Sequence, residues 1–373
     1  MTNDDVRVML VDDSAVIRGL IARMIEGEPG VKVAASVGNG QMAVDRLKSD
    51  PVDVIILDIE MPVMDGLTAI PLLLKVKPDV KIIMASTLTE KNAEISLRAL
   101  QAGATDYVPK PTSTREISGG AEFKHELLEK IRQLGLISRR PAVTAAGAAA
   151  QPRSNVTAER AAKPLYDRPI QLRARSAAAV RPRILAVGSS TGGPQALFQL
   201  FKDVRPEINM PVVVTQHMPA TFTAILAGHI AKASGWPCEE AADGMPLKAG
   251  HIYVAPGNYH MTVERNGTGM LIRTNQDPPE NFCRPAVDPM LRSVAQNYGN
   301  AVLAVILTGM GHDGRDGGRA VVEAGGSMIA QDEASSVVWG MPGAVATAGL
   351  CEAVLPLNDL GPHIMNRLRA GAA

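Results

Sequence analysis

The chain has 373 residues, 38 basic against 38 acidic side chains and only 3% aromatics. That length suits two ordinary domains, each with its own core, while zero net charge and few rings argue against a DNA, RNA or anionic-membrane binder. The cysteines Cys238, Cys283 and Cys351 form no CxxC pair, the start "MTNDDVRVMLVDD" lacks a leader pattern, and no apolar run nears the roughly 20 residues of a membrane span, so incidental thiols in a soluble, cytoplasmic protein are expected.

In chain order, "RVMLV", "KVAASV", "VDVIIL", "KIIMAS" and "DYVPK" read as strands. They alternate with the helical runs "SAVIRGLIARMIEG", "GQMAVDRLKSD", "LTAIPLLLKVK", "NAEISLRALQAGA" and "EFKHELLEKIRQLG". Such alternation predicts a doubly wound parallel sheet with helices on both faces. Between Pro141 and Arg181 the texture changes to 13 alanines among 41 residues, with seven basic and two acidic side chains. Pro152, Pro164 and Pro169 interrupt any helix and no apolar face persists, which predicts a flexible tether. From Arg183 the alternation resumes in "RILAVGS", "MPVVVTQ", "AVLAVILTG", "SMIAQD" and "EAVLPL". The section from about Pro246 to Thr274 departs from it, and "HIYVAP", "HMTVER" and "GMLIRT", with the Asn266-Gly267 turn, suggest an antiparallel excursion. The expected architecture is α/β, with one doubly wound domain over 5–137, a tether over 138–181 and a second such domain over 182–370.

In the first half, chemistry-bearing residues sit at strand ends, which converge on one crevice in a doubly wound sheet. Asp12 and Asp13 end the first strand, Asp58 the third and Ser86 the fourth, and Lys110 follows the fifth. An Asp there is often a helix cap, as Asp13 could partly be. Three carboxylates brought together repel one another unless a cation sits among them, and Mg²⁺ suits hard oxygen ligands. Asp58 could then accept a phosphoryl group, with Lys110 and the Ser86 hydroxyl meeting its oxygens. The motifs "VDDSAVIR", "LDIEMPVMDGL", "MAS" and "YVPKP" resemble those of the response-regulator receiver family. The resemblance implies that Asp58 is the phosphoacceptor, that Asp12 and Asp13 hold the metal, and that Glu60 offers a backbone carbonyl beside it. It also implies a flavodoxin-like fold, with Tyr107 at the position of a ring that shifts on activation.

In the second half, "GSSTGG" admits three readings. A tight turn explains the glycines but not three consecutive hydroxyls. A phosphate cradle is possible at a glycine-rich helix start, although the lysine of a P-loop is missing. The third is a nucleophile mount, since Gly188-Ser189-Ser190-Thr191-Gly192 matches GxSxG with Ser190 at its centre. A serine needs a base, itself oriented by an acid. His217 follows "PVVVTQ" and Asp313 follows "AVLAVILTGMG", both beyond strand ends on the edge that carries Ser190. Of the other histidines, His125, His229 and His363 fall on helical stretches, where solvated positions are expected, and His251 and His260 belong to the excursion. His312 is the rival base, but it adjoins Asp313, and consecutive turn residues normally diverge. The order Ser, His, Asp differs from that of ordinary α/β-hydrolases.

"VGSSTGGPQAL", "VTQHMPATFT", "YVAPGNYHM", "CRPAVDPMLRS" and "ILTGMGHDG" resemble the catalytic domain of the chemotaxis protein-glutamate methylesterase family. That resemblance implies Ser190 as nucleophile, His217 as base and Asp313 as orienting acid. It implies hydrolysis of glutamyl methyl esters on methyl-accepting chemotaxis receptors, deamidation of selected receptor glutamines, and a chemotaxis histidine kinase as phosphodonor. Mg²⁺ is expected in the receiver and no cofactor for ester hydrolysis. Oxyanion donors are sought at Thr191 and Met310. His312 stands where many relatives are expected to have asparagine. An unmodified receiver covering the catalytic crevice would supply regulation. Three alternatives stand beside this reading: a DNA regulator, against which neutral charge and the α/β grammar of the second half weigh; a nucleotide-binding output module, which gives His217 and Asp313 no role; and a catalytically silent docking protein, if the triad geometry is spoiled.

Overall fold

The computed structural model describes residues 5–87, 89–110, 121–139, 170–174, 180–204, 209–267 and 269–369. The described residues fall into two compact units, one drawn from 1–86 and 102–167, the other from 87–101 and 168–373.

The first unit is built on β1 (Val6–Val11), β2 (Val31–Val37), β3 (Val54–Asp58), β4 (Lys81–Ser86) and β5 (Asp106–Pro109). They pair in the order β2-β1-β3-β4-β5, every pair parallel. All five residues of β3 are buried, as expected for a central strand covered on both faces. Helices α1 (Ala15–Ile25), α2 (Gly40–Ser49), α3 (Gly66–Val76) and α5 (Ala121–Ser138) accompany this sheet, and α4 (Glu90–Gln101) lies in the stretch grouped with the second unit. The cap of α1 is Ser14, whose hydroxyl accepts from the Ile17 amide at 3.4 Å. Asp13 is therefore not the cap, which leaves its carboxylate exposed at the strand end.

The second unit holds β6 (Ile184–Ser189), β7 (Val212–Gln216), β8 (Cys238–Glu240), β9 (Ile252–Val254), β12 (Val302–Ile306), β13 (Ser327–Gln331) and β14 (Ala353–Leu355). Their order is β14-β13-β12-β6-β7-β9-β8, all pairs parallel. The helices are α6 (Gly193–Asp203), α7 (Ala220–Ser234), α8 (Val287–Tyr298), α9 (Arg315–Glu323), α10 (Met341–Thr347) and α11 (Leu357–Arg369). The antiparallel excursion is narrower than expected. Only β10 (His260–Asn266) and β11 (Gly269–Asn275) form the hairpin, while "HIYVAP" supplies β9 to the parallel sheet. Strand order runs outward in both directions from β6 and β12, so the ligand crevice of such a sheet lies beyond their carboxyl ends.

Most of the expected tether lies outside the described residues. Of its described part, Arg139 reaches Asp53 Oδ2 at 2.7 Å, and the Arg173 amide donates to Cys351 O at 2.8 Å. No described helix is long and apolar enough to cross a membrane.

Candidate active site

Ser190 is the first residue beyond the fully buried strand β6 and is itself half-buried. Its amide donates to Thr308 O at 3.0 Å, and its carbonyl accepts from Gly193 N at 2.7 Å, which turns the chain into α6. The left-handed residue of this turn is Gly192, with φ 75°, and not the serine. Ser190 thus lies in the strand-to-helix turn where the GxSxG reading put it, but the left-handed conformation falls on a residue without a Cβ. Gln216 clamps the turn from β7. Its Nε2 donates to Ser190 O at 2.9 Å and His217 O at 3.1 Å, while its Oε1 accepts the Ser189 hydroxyl at 2.6 Å. A Cβ added at Gly193 would collide with Gln216 Oε1 and lie 2.9 Å from Ser189 Cβ.

Sheet register brings the base alongside. Ser189 pairs with Gln216 in parallel strands, so Ser190 and His217 follow one another's neighbours across a spacing of about 5 Å. His217 Nε2 lies 2.7 Å from Asp313 Oδ2. The buried Asp313 carboxylate also accepts from the amides of Val287 at 2.6 Å, Asp288 at 3.0 Å and Gly314 at 2.9 Å, and from Asn281 Nδ2 at 3.0 Å. Two of those amides begin α8, where free N–H groups and the helix dipole favour an anion. Burial alone would raise the Asp313 pKa, but the hydrogen bond and charge of His217, with the amides, hold it at about 2. Burial and repulsion from Asp313 push neighbouring Asp288 up to about 6. Burial disfavours a charged His217, yet Cys283 and Asp313 outweigh it and lift its pKa well above the ordinary imidazole value.

The Asp313 carboxylate only accepts, so the neutral imidazole carries its proton on Nε2 and offers Nδ1 as the basic atom. Cys283 Sγ lies 3.3 Å from that Nδ1. The Ser190 hydroxyl forms no hydrogen bond among the described residues. The structure thus unites His217 with Asp313 and sets Ser190 one strand away, while the Cys283 thiol sits at the free ring nitrogen. Contacts of this kind often tighten only around substrate. Cys283 is consequently not incidental, and the absence of a CxxC pair says nothing of this position.

Other expectations resolve simply. His312 is exposed while Asp313 is buried, so the two diverge. His229 is buried, not solvated, with its ring 6.1 Å from that of Phe198. His260 is buried as well, accepting from Ala286 N at 3.2 Å and facing Pro278 O at 3.1 Å. Thr191 is buried and Met310 half-buried, and the Met310 amide donates no hydrogen bond among the described residues. Gly309 packs so closely that a Cβ there would stand 3.0 Å from Ser190 N.

In the first unit, carboxylate oxygens of Asp12, Asp13 and Asp58 lie within 4.8 Å of one another. Lys110 Nζ is 2.6 Å from both Asp12 Oδ2 and Asp58 Oδ1. Burial raises the Asp58 pKa, Lys110 opposes that and Asp12 adds to it. This all-oxygen, mutually repelling set fits a hard divalent cation such as Mg²⁺. The Glu60 side chain is exposed and its carboxylate is not among the three. Ser86 is buried at the end of β4, and its carbonyl accepts from Lys110 N at 2.6 Å. The Tyr107 ring is buried beneath Lys130, whose ammonium lies 5.2 Å from the ring centroid.

Residues 185–364 match the CheB methylesterase family and residues 8–120 the response regulator receiver domain family. The chain is 59% identical to protein-glutamate methylesterase/protein-glutamine glutaminase 1 of Paramagnetospirillum magneticum, over 97% of this chain and 96% of that protein. It is 57% identical to the protein of the same description from Rhodospirillum rubrum, over 96% and 94% of the two chains. The Thermotoga maritima CheB methylesterase catalytic domain, a crystal structure, is 37% identical over 50% of this chain and 99% of its own, with a TM-score of 0.49. A receiver domain followed by a methylesterase domain, matched almost end to end by these relatives, makes the chain a member of the protein-glutamate methylesterase/protein-glutamine glutaminase family.

Proposed function

We propose that the chain is a phosphorylation-regulated hydrolase acting in the cytoplasm on methyl-accepting chemotaxis receptors. It converts glutamyl methyl esters and water to glutamate and methanol, and deamidates selected receptor glutamines to glutamate and ammonia. The observation that carries this reading is the 2.7 Å His217–Asp313 pair set one strand from Ser190 at the sheet's switch point. Ser190 Oγ attacks the ester carbonyl while His217 Nδ1 takes its proton. Asp313 holds the ring through Nε2 and stabilises the imidazolium. The Met310 amide, with that of Thr191, faces the developing oxyanion, and His217 returns the proton to the departing methanol. Water, deprotonated by the same imidazole, then cleaves the acyl-enzyme and restores Ser190. The hydrolase half needs no cofactor for these steps.

In the receiver, Asp12, Asp13 and Asp58, with the Glu60 main-chain carbonyl, would hold Mg²⁺, which supplies charge neutralisation between the carboxylates and an incoming phosphoryl group. Asp58 is the phosphoacceptor, a chemotaxis histidine kinase the donor, and Lys110 and Ser86 meet the new phosphoryl oxygens. Phosphorylation adds up to two negative charges, enough to bias a bistable receiver through Tyr107. The test is methanol release from methylated receptor fragments by the full chain. Activity should rise with a small-molecule phosphodonor, and the rise should vanish in Asp58→Asn. A phosphodonor response that persists in that variant refutes Asp58 as acceptor, and no methanol from the parent refutes the esterase reading.

The Gly193 position gives a second test. Gly193→Ala drives a methyl group into Gln216 and displaces the Ser190 turn. Methanol release should fall about 100-fold, the usual cost of roughly 1 Å of misplacement at a reacting group. A thermal melt run beside the assay separates this from unfolding.

A further inference from the structure

Asp313 lies on the connection between β12 and α9, a stretch that holds Gly309, Gly311 and Gly314. Regular structure does not place such a residue, since Gly311 and Gly314 are both left-handed, with φ 82° and 91°. What places it is an exchange between two helix starts. The Asp313 carboxylate accepts from the first amides of α8, those of Val287 and Asp288. In return Asp288, in the first turn of α8, sends its own carboxylate to the start of α9. Its Oδ1 accepts from Gly314 N at 3.0 Å and Gly317 N at 2.6 Å.

The two acids also share donors. Gly314 N donates to Asp313 Oδ1 at 2.9 Å as well as to Asp288. Asn281 Nδ2 donates to both Asp313 Oδ1 and Asp288 Oδ2 at 3.0 Å, from a residue whose left-handed φ of 52° asparagine tolerates. The helices meet this closely because Gly317 has no side chain. A Cβ there would lie 2.9 Å from Asp288 Cα and 2.7 Å from Leu291 Cβ. Capping alone does not call for a second acid. Asp288 is 3% exposed beside another buried carboxylate, whereas a neutral asparagine or serine closes a helix start without the cost of a buried charge. A charge kept at that cost, next to the groups of the proposed reaction, points to function before stability.

We propose that Asp288 is a positioning residue for the hydrolysis, holding the Asp313 carboxylate in the orientation that meets His217 Nε2. This rests on the reading of His217 as base and Asp313 as its orienting acid. The shared donors pin Asp313 Oδ1, which leaves Oδ2 to the imidazole and the Val287 amide. The negative charge of Asp288 keeps Asp313 a strong acceptor, and a strong acceptor keeps the imidazole basic. An amide in place of the Asp288 carboxylate would still close α9 through its oxygen. Its N–H groups, however, would turn toward Asp313 Oδ1 and weaken the pull on His217. The charged groups facing Asp288 are Asp313 and, one turn along α8, Arg292, which pairs with Glu280.

The experiment follows methanol release from a methylated receptor fragment by the full chain, as parent and as Asp288→Asn, with pH profiles and thermal melts. At about pH 8, where the parent carries both buried charges, the variant should melt at the parent's temperature or above it. Its kcat should fall about tenfold with KM within about twofold, because a weaker base is slower. The rising limb of the pH profile should move down by about one unit, the ordinary effect of losing a neighbouring charge. Asp288→Ser, a shorter neutral cap, should show the same split if the asparagine variant fails to fold. An unchanged kcat and an unmoved limb in a folded variant overturn the proposal. So does a lowered melting temperature with the limb in place, which marks a helix cap alone. A parent that releases no methanol, or a His217→Ala variant as fast as the parent, removes the base that Asp288 serves and overturns the proposal with it, a failure visible without any change at Asp288.

Discussion

Ser190→Ala should abolish methanol release, with kcat falling on the order of 10⁶-fold, the loss seen when a serine nucleophile is removed from a well-studied protease. The fold should not notice. Ser190 is half-buried and its hydroxyl has no hydrogen bond to lose among the described residues. The adjacent serine is the control that gives this result meaning. Ser189 is fully buried and donates to Gln216 Oε1 at 2.6 Å, so Ser189→Ala removes one hydrogen bond of the clamp. About 1 kcal/mol of stability is at stake there, and much of the activity should remain. The same pair of assays weighs the thiol. Cys283 Sγ already sits 3.3 Å from His217 Nδ1, so among the described residues it is the rival nucleophile this geometry offers. Persistent turnover in Ser190→Ala that disappears in Cys283→Ala would transfer the role to it.

Asp313→Asn should lower kcat about 10⁴-fold with little change in the fold, as in the equivalent substitution of the serine-protease triad. The carboxylate fixes the tautomer by accepting from Nε2 at 2.7 Å, whereas an amide can present its own N–H there and leave the proton on Nδ1. The pH profile supplies the sign. On the proposed mechanism His217 takes the proton only when neutral, and Cys283 and Asp313 raise its pKa well above 6.5 against the effect of burial. Activity of the parent should therefore climb with pH along a limb lying above 6.5. In Asp313→Asn the surviving activity should show that limb shifted to lower pH. Stability follows the same groups. The raised His217 pKa contributes stability that is complete below its unfolded value near 6.5 and is lost as pH rises through the folded value. Asp313, held at about 2, contributes stability present above its unfolded value of 3.8 and lost as pH falls through 2. Asp288 acts in the opposite sense to Asp313, costing stability as pH climbs from 3.8 to about 6. A melting-temperature profile against pH for parent and variant checks these directions.

The alternation of strands and helices made both sheets legible, because long buried strands such as "VDVIIL" and "AVLAVILTG" carry their own pattern. The short strands β8 and β9 did not. Three residues are too few to show a period, and β9 lies next to a true hairpin in sequence, so nothing in the pattern separates the two. Of the candidate site, Ser190, His217 and Asp313 are legible as chemistry-bearing residues at strand ends, and the register of β6 with β7 brings Ser190 and His217 side by side. Their supports were hidden. Gln216 acts across strands on a turn 26 residues earlier, and Cys283 and Asn281 reach the site on a loop whose strain leaves no mark in composition. His229 and His260 show the same limit, since burial of a polar ring depends on partners far along the chain. No residue pattern marks the ester as a receptor glutamate; that identity comes from family likeness alone.

The most direct measurement is labelling of the full chain with a serine-directed fluorophosphonate, followed by peptide mapping in the mass spectrometer. One phosphonate should be found on Ser190, and the adduct should be lost in His217→Ala, where the hydroxyl has no base. An adduct mapped to Ser189 or Cys283, or labelling of Ser190 that is indifferent to the imidazole, would contradict a nucleophile made reactive by His217 and Asp313.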